Sequence, residues 1–425
     1  FLLYILRKGK IMLQSVKIHN FMCIGDFELN LSYALGKAPN GYKTNPYHCF
    51  IETGTKSKTR LVPVFAMYGA NASGKTTILK AIEHLSLIVN YGFNSNLFIP
   101  NRLIEEFGEK DCSGISINFW KEDLNFKYSL CFNETGILKE TLFYKDILLF
   151  DIENSTICSL SKKLEKSRKN ITSYFNERCI NAKNHFQIRT FLSAVVEDFP
   201  GIDPLLINAR EFFLSDLVCM IDVGNDVPAI DGIKLLSATF KGTTEEKEKQ
   251  AIEEILFYLK KLDIGIVGLQ LQRELYSSFI DKSARTEKEK DLYSKLEQFI
   301  NNTINNSNEK FVYLALTTHL TNKNNPVLLQ FSDESAGTQR LVGLLGMLLA
   351  SIKQGKTILV DELDDSLHVL LLVEIIRLFK SKNINNQKSQ LIVTLHNTEL
   401  LASGLLSTSE IGIVRINKTK GSEVF

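Results

Sequence analysis

The sequence predicts an α/β fold with a mixed β-sheet core, an antiparallel β region and a mostly helical insertion. A G-x-x-x-x-G-K-T motif at residues 69–76 lies between an apolar, partly β-branched segment and a helical apolar face. Alternating apolar residues between 114 and 143 are typical of antiparallel strands. Periodic apolar positions with charge runs between 154 and 310 are typical of solvated helices. These three observations favour one α/β core that a helical segment interrupts.

The N-terminal half of this core is predicted over residues 12–153, after an extension of residues 1–11. Its strands are predicted at residues 13–18, 27–31, 48–52, 61–67, 114–120, 126–132 and 138–143. Between the last two strands, residues 133–136 read Asn-Glu-Thr-Gly and predict a turn. The helix that follows the G-x-x-x-x-G-K-T motif has Ile78, Ile82, Leu85 and Val89 on one face.

The mostly helical insertion is predicted over residues 154–310. Within it, residues 262–267 predict a turn into a short strand, and residues 301–308 predict a polar linker. The second half of the core is predicted over residues 311–425. It starts with two strand-like segments, at 311–320 and 327–331.

Composition bounds the class of protein. A chain of 425 residues is long enough for two or three domains. The net charge of +2 demands neither a nucleic-acid nor a membrane partner, although local basic patches stay open. The seven cysteines contain no C-x-x-C pair, which favours reduced thiols in a cytoplasmic protein over a zinc site or a disulfide framework. No apolar run is long enough to span a bilayer, so we expect no membrane partner.

The G-x-x-x-x-G-K-T motif is the P-loop pattern that binds nucleotide phosphates. Its glycines let backbone N–H groups turn towards the phosphates, and the following helix N-terminus adds partial positive charge. Lys75 is expected to reach the β- and γ-phosphates, and the Thr76 hydroxyl to bind Mg²⁺. A Gly/Ser-rich turn with a solvated lysine is the alternative, which the strand and helix flanks disfavour. The predicted nucleotide-binding residues are Gly69, Asn71, Ala72, Ser73, Gly74, Lys75, Thr76 and Thr77.

A second motif is the segment Thr357–Glu362, a mostly apolar strand that ends in two acids. This is a Walker B pattern. Asp361 is expected to hold Mg²⁺, directly or through water, and Glu362 to polarise the attacking water as general base. Alone, the segment would be interpreted as a strand with two solvated acids; behind a P-loop, the functional interpretation is favoured.

A third motif, Asp333–Arg340, precedes an apolar helical face. Ser335 and Thr338 are good N-cap residues, and Gly337 permits a close approach. An ordinary helix cap explains that much. However, ABC-type ATPases carry their signature loop at this place before the Walker B strand, and it binds the γ-phosphate of the ATP held by the other subunit. Ser335, Gly337 and Thr338 are therefore predicted nucleotide-binding residues.

A fourth motif is the apolar strand Leu391–Leu395, which is followed by His396. A lone histidine is usually structural, but its place at the next strand end after Walker B predicts a switch histidine that senses the γ-phosphate. Residues 363–368, Leu-Asp-Asp-Ser-Leu-His, occupy the D-loop position that crosses the dimer interface in this class. The predicted catalytic residues are Lys75, Glu362 and His396.

Together these segments resemble the RloA-type AAA-family ATPases, relatives of RecF, SMC-type and OLD proteins within the ABC ATPase clade. The segments that carry the resemblance are Ile18–Phe21, Tyr68–Lys75, Asp333–Arg340, Asp361–His368 and Thr394–Leu401. The resemblance covers about half of the chain and implies ATP and Mg²⁺ as cofactors and a role in prokaryotic defence against phage. In two respects the sequence departs from the family: Val369 replaces the frequent proline after the D-loop histidine, and no glutamine is placed as the Q-loop.

The predicted mechanism is a head-to-head homodimer, or higher oligomer, that sandwiches two ATPs. Each site is expected to combine Lys75, Thr76, Asp361, Glu362 and His396 of one subunit with Ser335 and Gly337 of the other. With no second catalytic cluster in the sequence, a separate effector encoded nearby, a nuclease, is the expected partner. The alternative is a RecF/SMC-like DNA-binding clamp in DNA maintenance. An OLD-type nuclease within the chain is disfavoured, because about thirty residues follow His396 and a domain needs more.

Overall fold

A single large sheet dominates the part of the chain that the structure, a computed structural model, describes. The described residues are 11–33, 51–53, 59–104, 111–164, 169, 171–173, 188–199, 202–221, 227–262, 264–275, 311–365, 367–417 and 421–424. The chain divides into two compact units. The first contains Phe1–Asn225 and Ser351–Phe425, and the second contains Asp226–Ala350.

The sheet of the first unit contains thirteen strands in the order β10-β9-β8-β7-β6-β1-β2-β18-β17-β5-β16-β15-β11. Their bounds are β1 Ile11–Phe21, β2 Ile24–Asn30, β5 Val64–Tyr68, β6 Ser113–Lys121, β7 Leu124–Asn133, β8 Gly136–Tyr144, β9 Ile147–Glu153, β10 Thr156–Leu160, β11 Leu217–Met220, β15 Thr357–Val360, β16 Gln390–Thr394, β17 Ile411–Asn417 and β18 Gly421–Val424. A separate pair joins β3 Ile51–Thr53 to β4 Thr59–Leu61.

Helices are placed on both units. Their bounds are α1 Lys75–Tyr91, α2 Phe191–Asp198, α3 Pro204–Glu211, α4 Ala229–Ser237, α5 Thr244–Lys261, α6 Ala336–Gln354, α7 Val369–Lys380 and α8 Glu399–Ala402. A π-helical segment, Phe212–Asp216, connects α3 to β11. Among the described helices, none is long and apolar enough to cross a membrane.

The antiparallel part of the sheet runs from β10 to β18 through β1 and β2. In β2, buried and exposed residues alternate, as expected for a strand with one covered face. The covered face packs against α1, whose buried residues include the predicted Ile78, Ile82, Leu85 and Val89. One apolar cluster joins residues of α1 to residues of β1, β6 and β7. This packing fixes the position of α1, and therefore of the P-loop at its N-terminus.

The parallel part contains β17, β5, β16, β15 and β11. All residues of β5, β15 and β16 are buried, as is typical of parallel strands covered on both faces. Because parallel strands end at the same edge of a sheet, the chain leaves β5, β15 and β16 at one common edge. The predicted mixed α/β class with an antiparallel region is thereby confirmed.

The second unit has its own antiparallel sheet, β12-β13-β14, formed by β12 Gly268–Leu275, β13 Phe311–Leu320 and β14 Pro326–Gln330. Its helices cross at a distance that only glycine permits: a Cβ on Gly343 of α6 would lie 1.7 Å from the Val227 carbonyl oxygen just before α4. A Cβ on Gly232 would lie 2.3 Å from the Gly343 carbonyl oxygen. This crossing fixes α6 against α4.

The segment predicted as an insertion differs in detail from the structure. Residues 217–220 form β11, which pairs with β15 in the main sheet. The strand expected near residues 262–267 begins at Gly268. Periodicity does not identify β11, because four apolar residues fit a strand and a helix equally well. The predicted polar linker 301–308 lies outside the described residues. The boundaries of the insertion at residues 154 and 310 stay a prediction.

One cysteine pair also differs from expectation. Cys112 and Cys131 form a disulfide, with Cα atoms 6.0 Å apart. Cys112 immediately precedes β6, and the antiparallel pairing of β6 with β7, in which Gly114 lies opposite Cys131, brings Cys112 close to Cys131, which the sequence separation of 19 did not reveal. The prediction of reduced thiols is therefore wrong for this pair. Cys23, Cys158 and Cys219 are free.

Candidate functional site

The P-loop connects β5 to α1, in the context that the sequence predicts. Gly74 has φ 99°, in the left-handed region, and Ala72 has φ 61°. A Cβ on Gly74 would lie 2.0 Å from the Ser422 Oγ of β18, and one on Gly69 would lie 2.4 Å from the Val414 carbonyl oxygen of β17. Neither position has room for a Cβ atom, because a neighbouring strand lies too close. At Gly74 the left-handed backbone conformation also favours glycine.

Lys75 is the first residue of α1, and its ammonium group lies against the P-loop backbone. Its Nζ donates to the carbonyl oxygens of Gly69, at 2.8 Å, and Ala70, at 3.2 Å. Burial lowers the pKa of Lys75, while the carboxylates of Asp361, Glu362 and Asp364 oppose this shift. The ammonium therefore lies at the centre of the loop and in the field of three acids, where it can contact a bound anion.

Asp361, at the end of β15, joins the P-loop to the neighbouring strand. The Thr76 hydroxyl donates to Asp361 Oδ1 at 3.2 Å, and the Thr394 hydroxyl donates to the same oxygen at 2.5 Å. Thr394, at the end of β16, is fully buried and also accepts a hydrogen bond of 2.7 Å from the Glu362 backbone N–H. One threonine therefore fixes the orientation of both acids of the Walker B pattern.

Glu362 adopts φ 48° in the turn that follows β15. A positive φ is a strained conformation for a non-glycine residue, and 52% of the Glu362 side chain is exposed. The His396 Nε2 lies 3.3 Å from Glu362 Oε1. The expected base and the expected switch histidine are therefore in contact, and water can reach both.

Asp364 holds the loop that carries His396. Its Oδ2 accepts hydrogen bonds from the backbone N–H groups of His396, at 2.7 Å, and Asn397. The buried Tyr68 hydroxyl has no hydrogen-bond partner among the described residues. Burial, and to a smaller extent the Asp364 charge, raise the pKa of Tyr68. The D-loop position thus orients the switch loop within one subunit, in addition to its expected place at a dimer interface.

A buttress formed by Cys23 and Ser422 supports the back of the P-loop. The Ser422 hydroxyl donates to the Ser73 carbonyl oxygen at 2.8 Å. Cys23 Sγ lies 3.2 Å from the Thr77 hydroxyl, at the tight turn between β1 and β2. The N-terminal and C-terminal strands of the chain therefore both contact the nucleotide-binding motif.

The signature segment belongs to the second unit. Ser335 is the N-cap of α6: its Oγ accepts from the Thr338 N–H at 3.2 Å and lies 2.8 Å from the Thr338 hydroxyl. Ser335 is exposed, and Gly337 and Thr338 are partly exposed. The three predicted residues therefore form one exposed helix N-terminus.

The residues of the first unit fit a nucleotide triphosphate and Mg²⁺. The buried Ser73 hydroxyl has no hydrogen-bond partner among the described residues and lies inside the loop whose glycines exclude any Cβ. Thr76 and Asp361 supply hard oxygen ligands, which suit Mg²⁺ bound by few protein groups and by phosphates. Among the described residues, no cluster of three or more His, Cys, Asp or Glu forms an all-protein metal cage. These features fit the predicted cofactors.

Sequence reasoning placed P-loop, Walker B and switch residues that the structure brings together, but it missed three contributors. Thr394 is the only polar residue among the last four of an apolar strand, two positions before His396, and this position is a usable signal. Asp364 was placed only as part of the D-loop. Ser422 carries no local signal, because its contact with Ser73 spans 349 residues.

Comparisons with known proteins give a family match. A family model described as "AAA domain, putative AbiEii toxin, Type IV TA system" matches residues 64–178 and 240–402, more than half of the chain. No curated protein matches the chain.

The solved structures that match the chain include SMC head domains and RecF. An Smc head bound to the C-winged helix domain of ScpA is 11% identical, with 97% of this chain and 96% of that chain covered and a TM-score of 0.45. The SMC head domain from Thermotoga maritima is 12% identical, covers 97% and 98%, and has a TM-score of 0.41. The recombination mediator protein RecF is 13% identical, covers 98% and 99%, and has a TM-score of 0.41.

Proposed function

This chain belongs to the AAA-domain family whose model it matches, and we propose that it is an ABC-type ATPase that binds and hydrolyses ATP with Mg²⁺. The fold is the predicted α/β ATPase head, with a mixed sheet and an antiparallel region. The observation that supports hydrolysis best is the continuous chain of contacts from Thr76 through Asp361 and Thr394 to Glu362 and His396.

Each group in this chain has a task that its environment suits. The loop N–H groups and Lys75 would bind the phosphates, and Thr76 and Asp361 would hold Mg²⁺, which would supply positive charge to the triphosphate. Glu362, open to solvent, accepts a proton from the attacking water. His396 orients Glu362 through the contact between them and senses the γ-phosphate. Thr394 holds the Asp361 carboxylate and the Glu362 backbone in fixed positions through its hydroxyl.

Two substitutions separate binding from chemistry. Lys75→Ala removes a phosphate ligand, so the affinity for ATP should fall. Glu362→Gln keeps the shape but removes the base, so ATP should bind while turnover falls by about 10²–10⁴-fold. Single-turnover hydrolysis and equilibrium binding of ATP measure both effects. Wild-type turnover in Glu362→Gln would remove Glu362 from the role of base.

We further propose that ATP closes a homodimer in which Ser335, Gly337 and Thr338 of one subunit reach the γ-phosphate bound by the other. An exposed helix N-terminus suits such an anion. Light scattering of Glu362→Gln with and without ATP tests the closure. Mixing Lys75→Ala with Ser335→Arg should restore activity, because one of the two mixed sites is intact. An oligomeric state that ATP does not change would contradict the sandwich.

The proposed biological role is control of a separate effector, a nuclease encoded nearby, in defence against phage. The resemblance to RloA-type ATPases and the toxin–antitoxin description of the family support a role that is exercised through a partner. Co-purification with the neighbouring gene product, with and without ATP and Mg²⁺, tests this role. Failure of the pair to associate in either state would overturn it, and tight duplex DNA binding by the chain alone would favour the RecF/SMC-like clamp.

A further inference from the structure

The residue before the signature serine is hydrogen-bonded to strand β13, which lies 15 to 17 residues earlier in the chain. The Glu334 carboxylate is 10% exposed. Its Oε1 accepts a hydrogen bond from the Thr317 hydroxyl at 2.5 Å, and His319 Nε2 lies 2.6 Å from the same oxygen. Thr317 and His319 lie two positions apart on β13, so both side chains leave the same face of that strand. We call Thr317, His319 and Glu334 the β13 clamp.

The backbone around Glu334 is held a second time, from the helix side. Gln339, in the first turn of α6, donates from Nε2 to the carbonyl oxygens of Glu334, at 2.8 Å, and Ser332, at 3.1 Å. Ser335 therefore follows a residue whose side chain is fixed by β13 and whose carbonyl is fixed by α6. The exposed Ser335 has far less positional freedom than an exposed loop serine normally has.

Capping of α6 does not require the β13 clamp. Ser335 and Thr338 satisfy the helix N-terminus by themselves, as N-cap pairs do elsewhere. A nearly buried carboxylate is costly unless hydrogen bonds compensate it, and here two side chains of β13 serve that purpose. Such a satisfied polar network specifies one geometry, which is how precise functional sites are supported.

We propose that Thr317, His319 and Glu334 are positioning residues for the signature serine, and that they fix Ser335 in the orientation that the γ-phosphate requires. The proposal rests on the proposed function, because it assigns the clamp a role in ATP turnover across the dimer. The clamp does not touch ATP: it acts through Ser335, and ATP binding by the P-loop of a single subunit does not depend on it.

The test is a comparison of Glu334→Ala with Glu334→Gln in the full chain. Glu334→Ala removes the acceptor and should lower kcat by about 10–100-fold, as a loosened catalytic geometry does. Glu334→Gln keeps an amide oxygen that both donors can reach, and should retain kcat within about threefold, since a neutral acceptor replaces a charged one. The affinity of isolated subunits for ATP, measured by titration at low protein concentration, should stay within about twofold in both variants.

Thr317 supplies a second, milder comparison in case Glu334→Ala fails to fold. Thr317→Val removes the hydroxyl at nearly constant shape, and Thr317→Ser keeps it; kcat should fall in the first variant and be rescued in the second. Glu245→Ala, which removes an exposed carboxylate of α5 in the same unit, is the control for loss of charge.

The outcomes separate this proposal from the proposed function. A wild-type chain that hydrolyses no ATP overturns the proposed function. A wild-type chain that is active while Glu334→Ala and Thr317→Val keep its kcat overturns the clamp alone. The same holds if Glu334→Gln loses as much activity as Glu334→Ala, or if the variants lower the melting temperature and leave kcat unchanged.

Discussion

The P-loop edge of the first unit and the signature segment of the second unit are both helix N-termini, yet they are built differently. At the P-loop edge, contacts reach across the chain: Thr76 meets Asp361 over 285 residues, and Ser422 meets Ser73 over 349. At the signature segment, the hydrogen bonds of Glu334 and Gln339 span 17 residues or fewer. The first is assembled from strands that are far apart in the sequence, and the second from one helix turn and the preceding strand β13.

The difference teaches which perturbations each region tolerates. A long-range site fails when any strand that buttresses it moves, since several distant side chains share one geometry. A local cap keeps its capping hydrogen bonds as long as its own turn is intact. Substitutions in the two regions, and at a third, long-range helix cap of the first unit, test this contrast, from the largest expected effect to the smallest.

Gly74→Ala should abolish ATP binding, whereas Gly343→Ala should destabilise the second unit and spare ATP binding. A Cβ on Gly74 meets Ser422 at 2.0 Å and is strained at φ 99°. A Cβ on Gly343 meets the Val227 carbonyl at 1.7 Å, within the second unit. We expect the ATP affinity of Gly74→Ala to fall by more than about 100-fold, because the loop itself is displaced. Isothermal titration measures the ATP affinity of both variants, and thermal unfolding measures their stability. Equal losses of ATP affinity in the two variants would contradict the proposed difference between the two regions.

Glu140 makes a helix cap of the first unit sensitive to pH. This carboxylate of β8 accepts hydrogen bonds from the backbone N–H groups of Phe191 and Leu192, at the start of α2, and from the Tyr128 hydroxyl. Burial raises its pKa to about 7, although these donors oppose the shift. Because the folded pKa lies above that of the unfolded chain, its stabilising contribution is complete at low pH and is lost as pH rises through about 7.

The size of this loss follows from the shift. From pH 4.5 to pH 8, wild type should lose about 3 kcal/mol of unfolding free energy relative to Glu140→Gln, at about 1.4 kcal/mol per pKa unit. Urea unfolding of both proteins across this range measures it. Unfolding free energies that differ by the same amount at every pH would show that Glu140 does not titrate in this window.

Thr394→Val should lower turnover about 10–100-fold, because the buried hydroxyl that orients Asp361 and the Glu362 backbone is lost. Thr394→Ser keeps the hydroxyl and is the matched control. Steady-state hydrolysis with saturating Mg²⁺ gives kcat for both variants. If Thr394→Val and Thr394→Ser have equal kcat, the acids of the Walker B pattern are positioned by other contacts.

Ser335→Ala should have the smallest effect on stability, since it removes only a local N-cap. We expect a loss of about 1 kcal/mol in unfolding free energy, measured by urea unfolding, and no change in the affinity of single subunits for ATP. Thr243→Ala removes the comparable N-cap of α5 and calibrates the stability loss. A loss at Ser335 well above that at Thr243 would mean that this cap, too, depends on contacts beyond its own turn.

The sequence predicted most of the antiparallel strands, the helix after the P-loop and the three motifs at the strand ends. These signals are local: alternation predicts β6 to β8, and glycine spacing predicts the loop before Lys75. It missed β9, β10, β11, β17 and β18, and placed the strand β12 too early. Short apolar runs do not distinguish a strand from a helix, and strand pairing is a long-range property.

By itself, the sequence determined which residues can bind or hydrolyse a nucleotide. Lys75, Asp361, Glu362 and His396 are found from local motifs whose residue types and spacing suit that chemistry. Only the tertiary structure decided what orients them. Thr394 acquires its role because β15 and β16 run parallel and end together, and Ser422 because β18 lies behind the P-loop. Glu334 lies nearly buried because the turn after β14 folds back onto β13. Such contacts depend on which strands are neighbours, and neighbours are set by the packing of the whole core rather than by any short segment.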